Sequence, residues 1–442
     1  MDDPIEFILN LHYDNLPDDI VRAAIRALTD TLGVAVAGSK TQLSTIIRNH
    51  ASEHFGAGSN MPASLWSDGR PVSAAGAALA NGMTIDSVDA HDGQKLTKGH
   101  VGCGVVPALI ALTESTGQTD VEEFLTALVI GYEIGSRAGI ALHSSVTDYH
   151  TSGAWVALAT AALGARYLKL NREQTRHALG IAEYHGPRSQ MMRTIDHPTM
   201  VKDGSGWGSM AGVSAAFLAR DGFTGAPAIS MEAPQVHSIW ADLQSHWYIA
   251  EQYIKLYPVC RWAQPPVEAA LALQREHGFA ASDIASIDVE TFHEAKRLCT
   301  RHPKTTEEAQ YSTSFPCAVA MVRGQVTAAD IGEDALQDAE ILRLSKSTTM
   351  HEDTACNDAF PKERHARVGI VLKDGTRLES DLHSPRWDHR APPSDAELEA
   401  KFHDLADPVL GRKRSEGLRY AVRDLADAPL SHLTDQLFQP IN

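Results

Sequence analysis

Apolar residues recur at helical spacing over most of the first 260 positions, interrupted by short polar turns. The Ala-rich stretch 72–88 predicts a helix. Val105-Val-Pro107-Ala-Leu-Ile-Ala-Leu predicts another, with Pro107 in its first turn. Asp120 or Thr119 is placed to cap a helix over 121–141, with Glu122 and Glu123 in the favourable first turn. An apolar helix follows over 155–168. Asn171-Arg-Glu-Gln174 then reads as a capping box for a helix ending near His185-Gly186-Pro187. A further helix over 212–220 stops at Asp221-Gly222. Ala and Gly crowd these helices and no heptad persists, which predicts a closely packed buried bundle rather than a coiled coil.

The pattern changes after Pro265-Pro266. Alternating β-branched segments at 284–292 and 366–372 predict strands, and Lys373-Asp374-Gly375 predicts a hairpin turn into 376–382. Helical stretches at 267–277 and 315–323 lie among them. Ser394-Asp-Ala-Glu397 is a second capping box that returns the chain to helix. The expected fold is mainly α: a large all-helical domain, 1–264 plus 394–442, interrupted by a smaller α+β domain, 265–393.

Composition narrows the functional classes. A chain of 442 residues with 43% hydrophobic and 21% charged residues is ordinary globular material, long enough for two domains. Its net charge is −17, and no Lys/Arg run offers a face for nucleic acid. Five cysteines lie far apart without a Cys-x-x-Cys pair, which argues against structural zinc, an iron–sulfur cluster or a disulfide framework. No run reaches eighteen apolar residues, and the start Met1-Asp-Asp-Pro lacks a basic leader. A cytoplasmic enzyme with reduced thiols, no membrane span and no metal is therefore the expectation.

Chemistry-bearing residues concentrate in Asp89-Ala-His91-Asp92-Gly-Gln-Lys-Leu-Thr-Lys-Gly-His100-Val-Gly-Cys-Gly104. Acid/base groups, lysines and glycines in one turn-rich loop, with a helix N-terminus beyond it, suit an anionic ligand. Free N–H groups around 103–106 are expected to face that anion. Because the acidic chain repels anions at long range, binding must rest on local cations.

The chain resembles the MmgE/PrpD family nearly end to end. The resemblance runs through Asp30-Thr-Leu-Gly-Val-Ala-Val-Ala-Gly38, Ala78-Leu-Ala-Asn81-Gly82, the Asp89…Asp92…Gly99-His100 loop and His150-Thr-Ser-Gly153. It continues through Thr199-Met-Val-Lys202, Gly222-Phe-Thr-Gly225, Tyr257-Pro-Val-Cys260 and Glu308-Ala-Gln310-Tyr-Ser312. It implies a helical domain with a lid-like α+β domain, a homodimer, and catalysis without cofactor on a small di- or tricarboxylate. The residues it implies as catalytic are His100, His150, Asp89, Lys202 and Asp92. Lys255, Tyr257 and Arg261 stand at or beside its motifs and are substrate-binding candidates. Arg188 and Arg193 can add bidentate contacts, and His91 replaces an acidic family position. Gly93 stands where the family carries threonine, which predicts poor use of 2-methylcitrate. Phe315 is aligned where decarboxylase-like members carry tyrosine.

Proton removal beside a carboxylate builds charge on an anion, so cations and N–H groups must meet it in a dry site, and histidine titrates in the useful range. The leading expectation is a dehydratase-like lyase. Epimerase or isomerase, decarboxylase, and non-catalytic carboxylate binder are the alternatives.

Overall fold

The computed structural model describes residues 3–58 and 61–441; Met1 and Asp2, part of the start read above for a leader, lie outside the described residues. The fold is mainly α with a smaller α+β part. The helical part is built around Ala74–Asp86, Gly102–Thr116, Val121–Ser145, Gly153–Tyr167 and Ser205–Arg220, which pack on one another. Small residues set their spacing. A methyl group on Gly82 would meet the Gly206 Cα at 2.8 Å, and one on Gly208 would meet the Gly153 Cα at 2.7 Å. Helix Val121–Ser145 is long and apolar enough to cross a bilayer, yet its apolar window is 94% buried inside the protein. It is a core helix.

Two hydrophobic cores result. The first joins the N-terminal helices to residues 402–437, and the second runs from Met191 to Ile370. The second holds a four-stranded sheet in the order Thr348–Glu352, Ile284–Thr291, Ala366–Leu372, Arg377–Glu379, its first pair parallel and the others antiparallel. Helices Gln264–His277 and Ser314–Arg323 pack on each other, and the first of them also covers the strand Ala366–Leu372.

Several local expectations change. The helix carrying Pro107 begins at Gly102, so the proline sits in its second turn and not its first. Glycines at 102 and 104, which read as loop, are wound into helix because the neighbouring helices leave room only for bare backbone; Ser209 Oγ donates to the Gly104 carbonyl at 2.8 Å. The N–H groups of Gly104 and Val105 are consequently spent on the Val101 carbonyl and face no anion. The helix expected over 212–220 spans Ser205–Arg220. The first 262 residues are not purely helical either. Pro62–Ser64 pairs with Pro71–Ser73, and Gly93–Gln94 with Gln252–Tyr253.

Candidate active site

That last two-residue ladder organises the site. It lays the glycine loop against the segment 252–255 and brings Lys255 to Asp89, whose Oδ1 lies 3.0 Å from the lysine Nζ; the same Nζ donates to the Asp89 carbonyl at 3.0 Å. Two further loops, each opening a helix, interlock with the glycine loop. The His100 N–H donates to Ser152 Oγ at 2.9 Å, Ser152 Oγ donates to Asp203 Oδ2 at 3.1 Å, and the Gly153 N–H donates to the Asp203 carbonyl at 3.1 Å. Asp89 and Lys202 adopt left-handed φ values of 57° and 48°. Such strain persists only where the surroundings impose it, and it clusters at functional sites.

His100 is buried, with Nδ1 2.5 Å from the Asp92 carbonyl. A carbonyl only accepts, so Nδ1 carries the hydrogen and Nε2 keeps its lone pair. Nε2 points to Asp203 Oδ2 at 3.8 Å. Burial, with the Lys255 charge adding to it, pulls the imidazole down to about 3, so the ring is neutral at physiological pH. His91 packs edge-on against it with ring centres 4.4 Å apart and is pulled down in the same way, by burial first.

Lys202 donates to Gln310 Oε1 at 2.5 Å and stands 4.6 Å over the Tyr311 ring, while Tyr311 Oη donates to Asp203 Oδ1 at 3.3 Å. Burial raises Asp203, with Asp89 as the next cause, and lifts Asp86 to about 7, with Asp203 as the next cause. Asp89 is the exception. Burial pushes it up, but Lys255 and Lys202 outweigh that and hold it below its ordinary value. Asp92 is lifted to about 7 by burial; it accepts from Tyr132 Oη at 2.6 Å and abuts Gly102, where the helix begins. Beneath the loop, Lys401 Nζ binds Asp30 Oδ1 at 2.5 Å and the Ala90 carbonyl at 2.7 Å.

The structure thus gathers Asp89, His91, Asp92, His100, Lys202 and Lys255 into one buried cluster. The other candidates stand apart. Half-buried His150 pairs across a bridge with Gln190, and its Nδ1 lies 3.0 Å from the Asp148 carbonyl. Arg188 and Arg193 are exposed. Tyr257 donates to Glu268 at 2.8 Å. Arg261 lies behind Tyr253, its guanidinium 4.3 Å from the ring. Phe315 is buried in the second core, and the tyrosine beside Lys202 is Tyr311.

Sequence reasoning missed Asp86, Ser152, Asp203, Tyr253, Gln310, Tyr311 and Lys401. Gln310 and Tyr311 lie inside a quoted motif, and Asp203 directly follows Lys202, so adjacency was the available signal. Gly93 is explained by Tyr253. A Cβ there would meet the Tyr253 Cζ at 2.5 Å and His100 Nδ1 at 2.8 Å, so the phenol occupies the space a threonine would need.

Asp89, His91 and His100 each offer a ligand atom, all within 4.8 Å of one another. The Lys255 ammonium already bonded to Asp89 opposes a divalent cation there. Unpartnered buried atoms on Asp86, Asp89 Oδ2 and both His91 nitrogens instead mark a polar space facing cations, proton acceptors and proton donors together.

The chain is 23% identical to the cis-aconitate decarboxylase-like protein oryM of Aspergillus oryzae over 95% of this chain and 93% of that protein. It is 25% identical to mouse (Mus musculus) cis-aconitate decarboxylase over 95% of this chain and 89% of that enzyme. Against the 2-methylcitrate dehydratase of Escherichia coli K12 it is 25% identical over 61% of this chain and 60% of that enzyme. The family profiles for the MmgE/PrpD N-terminal domain and the MmgE/PrpD C-terminal domain match residues 5–236 and 257–427, in that order. With its buried loop cluster and both halves matched, the chain belongs to the MmgE/PrpD family of enzymes.

Proposed function

We propose that this protein is a cofactor-independent lyase that removes a proton beside a carboxylate of a small di- or tricarboxylic acid. The observation that carries this reading is the geometry of His100: a buried imidazole whose Nδ1 hydrogen is fixed on the Asp92 carbonyl and whose Nε2, 3.8 Å from Asp203 Oδ2, keeps its lone pair in one buried cluster with Lys202 and Lys255. In this reading Nε2 takes the proton. Lys255 and Lys202 hold the substrate carboxylate and the charge that builds on it, in a site where water does not screen them. Asp203, whose carboxyl burial pushes above its ordinary value, and Tyr311 return a proton to the leaving group. Asp89 keeps Lys255 charged and in place. His150 stands outside this exchange, at the edge of the site.

Decarboxylation is a second reading on the same residues. Its support is the reach of the comparisons, since relatives named cis-aconitate decarboxylase match over 95% of this chain and the Escherichia coli dehydratase over 61%. Proton NMR in deuterated buffer with a panel of di- and tricarboxylates tests both. A lyase gives new alkene signals, and a decarboxylase gives them with labelled bicarbonate from a carboxyl-labelled acid. Deuterium entering the substrate without an alkene would overturn both in favour of epimerisation, and neither change with any acid would leave a binding protein.

The same proposal includes a cytoplasmic homodimer without nucleic-acid or membrane partners, and a lid role for the smaller part. Exposed Val201, Trp207, Leu218 and Phe223, on and beside helix Ser205–Arg220, are large apolar side chains that a second copy would cover. Light scattering giving a monomer at micromolar concentration would refute the dimer without touching the chemistry.

A further inference from the structure

Beside Tyr253 lies a small cavity lined chiefly by Lys95, Tyr253, Arg261, Glu363, Arg364, Asp388 and Arg390. Its two acids are already matched. Glu363 pairs with Lys95 at 3.0 Å and Arg390 at 2.8 Å, and Asp388 with the same two at 3.1 Å each. Arg261 and Arg364 carry the charge that remains. They are 4% and 3% exposed, and none of their hydrogen-bond acceptors among the described residues is a carboxylate. Arg261 Nη1 donates to the Ile254 carbonyl and Gln264, and Arg364 Nη1 and Nη2 donate to the Pro361 and Lys95 carbonyls. Arg261 Nη2 and Arg364 Nε have no acceptor.

Two buried guanidinium groups with unspent N–H donors on one cavity are costly unless an anion completes them. The cavity holds about 30 Å³, room for roughly two water-sized atoms, which is the requirement of the two oxygens of one carboxylate. Tyr253 relates it to the reactive cluster, since its ring centre lies 6.3 Å from that of His100 and 4.3 Å from the Arg261 guanidinium.

We propose that Arg261 and Arg364 form a second carboxylate subsite, which takes a carboxylate of the substrate remote from the reacting carbon while Lys255 and Lys202 hold the near one. The proposal rests on the lyase reading for its ligand. It makes the enzyme selective for acids with at least two carboxylates. Arg364 comes from the smaller part and already donates to the Lys95 carbonyl of the glycine loop, so the remote carboxylate sits where the two meet.

Calorimetric titration of the full-length protein with tricarballylate, succinate and propionate tests it. The expected result is that Arg364→Met weakens tricarballylate and succinate by about 10- to 100-fold, the worth of a charged hydrogen bond, and leaves propionate unchanged. Arg364→Lys, which keeps the charge without Nε, should fall between, and it serves if the methionine variant fails to fold. Equal weakening of all three acids, or of none, overturns the subsite. Lys255→Met separates the two readings. If it weakens propionate while the arginine variants change nothing, the near site and the lyase reading stand and the subsite falls. If phosphate displaces no tricarboxylate yet binds with Arg364-dependent affinity, the cavity is an inorganic-anion site and the proposal is refuted.

Discussion

Replacing Gly93 by alanine inserts one methyl group between Tyr253 and His100. The new Cβ would lie 2.5 Å from the Tyr253 Cζ and 2.8 Å from His100 Nδ1, so one ring or the other must retreat by about 1 Å to reach ordinary contact. Both are braced, and only the small cavity lined by Tyr253 offers room. Arg261 stacks on Tyr253 from behind, and the Asp92 carbonyl holds Nδ1 at 2.5 Å. Overpacking of this kind costs about 1–3 kcal/mol. At about 2.1 cal/mol/K of unfolding entropy per residue, that lowers the melting temperature of a chain this long by only about 1–3 °C. Catalysis is the sharper readout, because a misplacement of about 1 Å at a reacting group costs about 100-fold. Calorimetry gives the first number. The kcat/KM on whichever acid is turned over gives the second. Gly93→Ala combined with Tyr253→Ala should regain stability relative to the sum of the single changes, with a coupling of about 0.5–3 kcal/mol. An unchanged kcat/KM in Gly93→Ala, or strict additivity in the pair, would refute the packing argument.

His100→Gln should lower turnover by about 10²–10⁴-fold with little change in melting temperature, and near-normal turnover would remove it as the base. Lys401→Met leaves Asp30 buried without its cation and should cost about 3–5 kcal/mol in urea denaturation, most of it recovered by adding Asp30→Asn; a loss below 1 kcal/mol (on the order of an exposed pair) would contradict this. Burial holds Asp92 at about 7 in the fold, above its unfolded value, so its favourable contribution is complete below about pH 4 and is lost as pH rises through 7. Asp92→Asn should accordingly be less destabilising, relative to the parent, at pH 8 than at pH 5, and the opposite trend in denaturant midpoints would show the carboxylate to be stabilised instead. Dialysis against EDTA should leave turnover intact; loss restored by a single divalent ion would overturn the metal-free mechanism.

Much of this architecture was readable residue by residue. The capping boxes at Asn171 and Ser394 and the Lys373-Asp374-Gly375 turn are local devices, and each stands where its chemistry puts it. The site was legible only in part. Asp89, His100 and Lys202 carry motif signals, but their partners come from distant segments whose local appearance is ordinary. Lys401 lies in an amphipathic helix and Arg364 just before a strand, where a cation reads as solvated surface. The ladder that brings Lys255 to Asp89 is two residues long and leaves no periodicity to detect. Tyr311 was passed over for Phe315 because spacing along the chain says nothing about which ring turns toward Lys202 and which packs into the second core.

The reach of Lys401 and Lys255 into the glycine loop has a consequence for biosynthesis. Asp30, Asp86, Asp89 and Asp92 leave the ribosome before the cations that let Asp30 and Asp89 stay buried: Lys255 follows Asp89 by 166 residues and Lys401 follows Asp30 by 371. Burying carboxylates without those partners costs several kcal/mol each. The helices can therefore pack as they emerge while the loop stays open to water. A ribosome stalled just short of residue 401 would display a reactive loop that still lacks its floor.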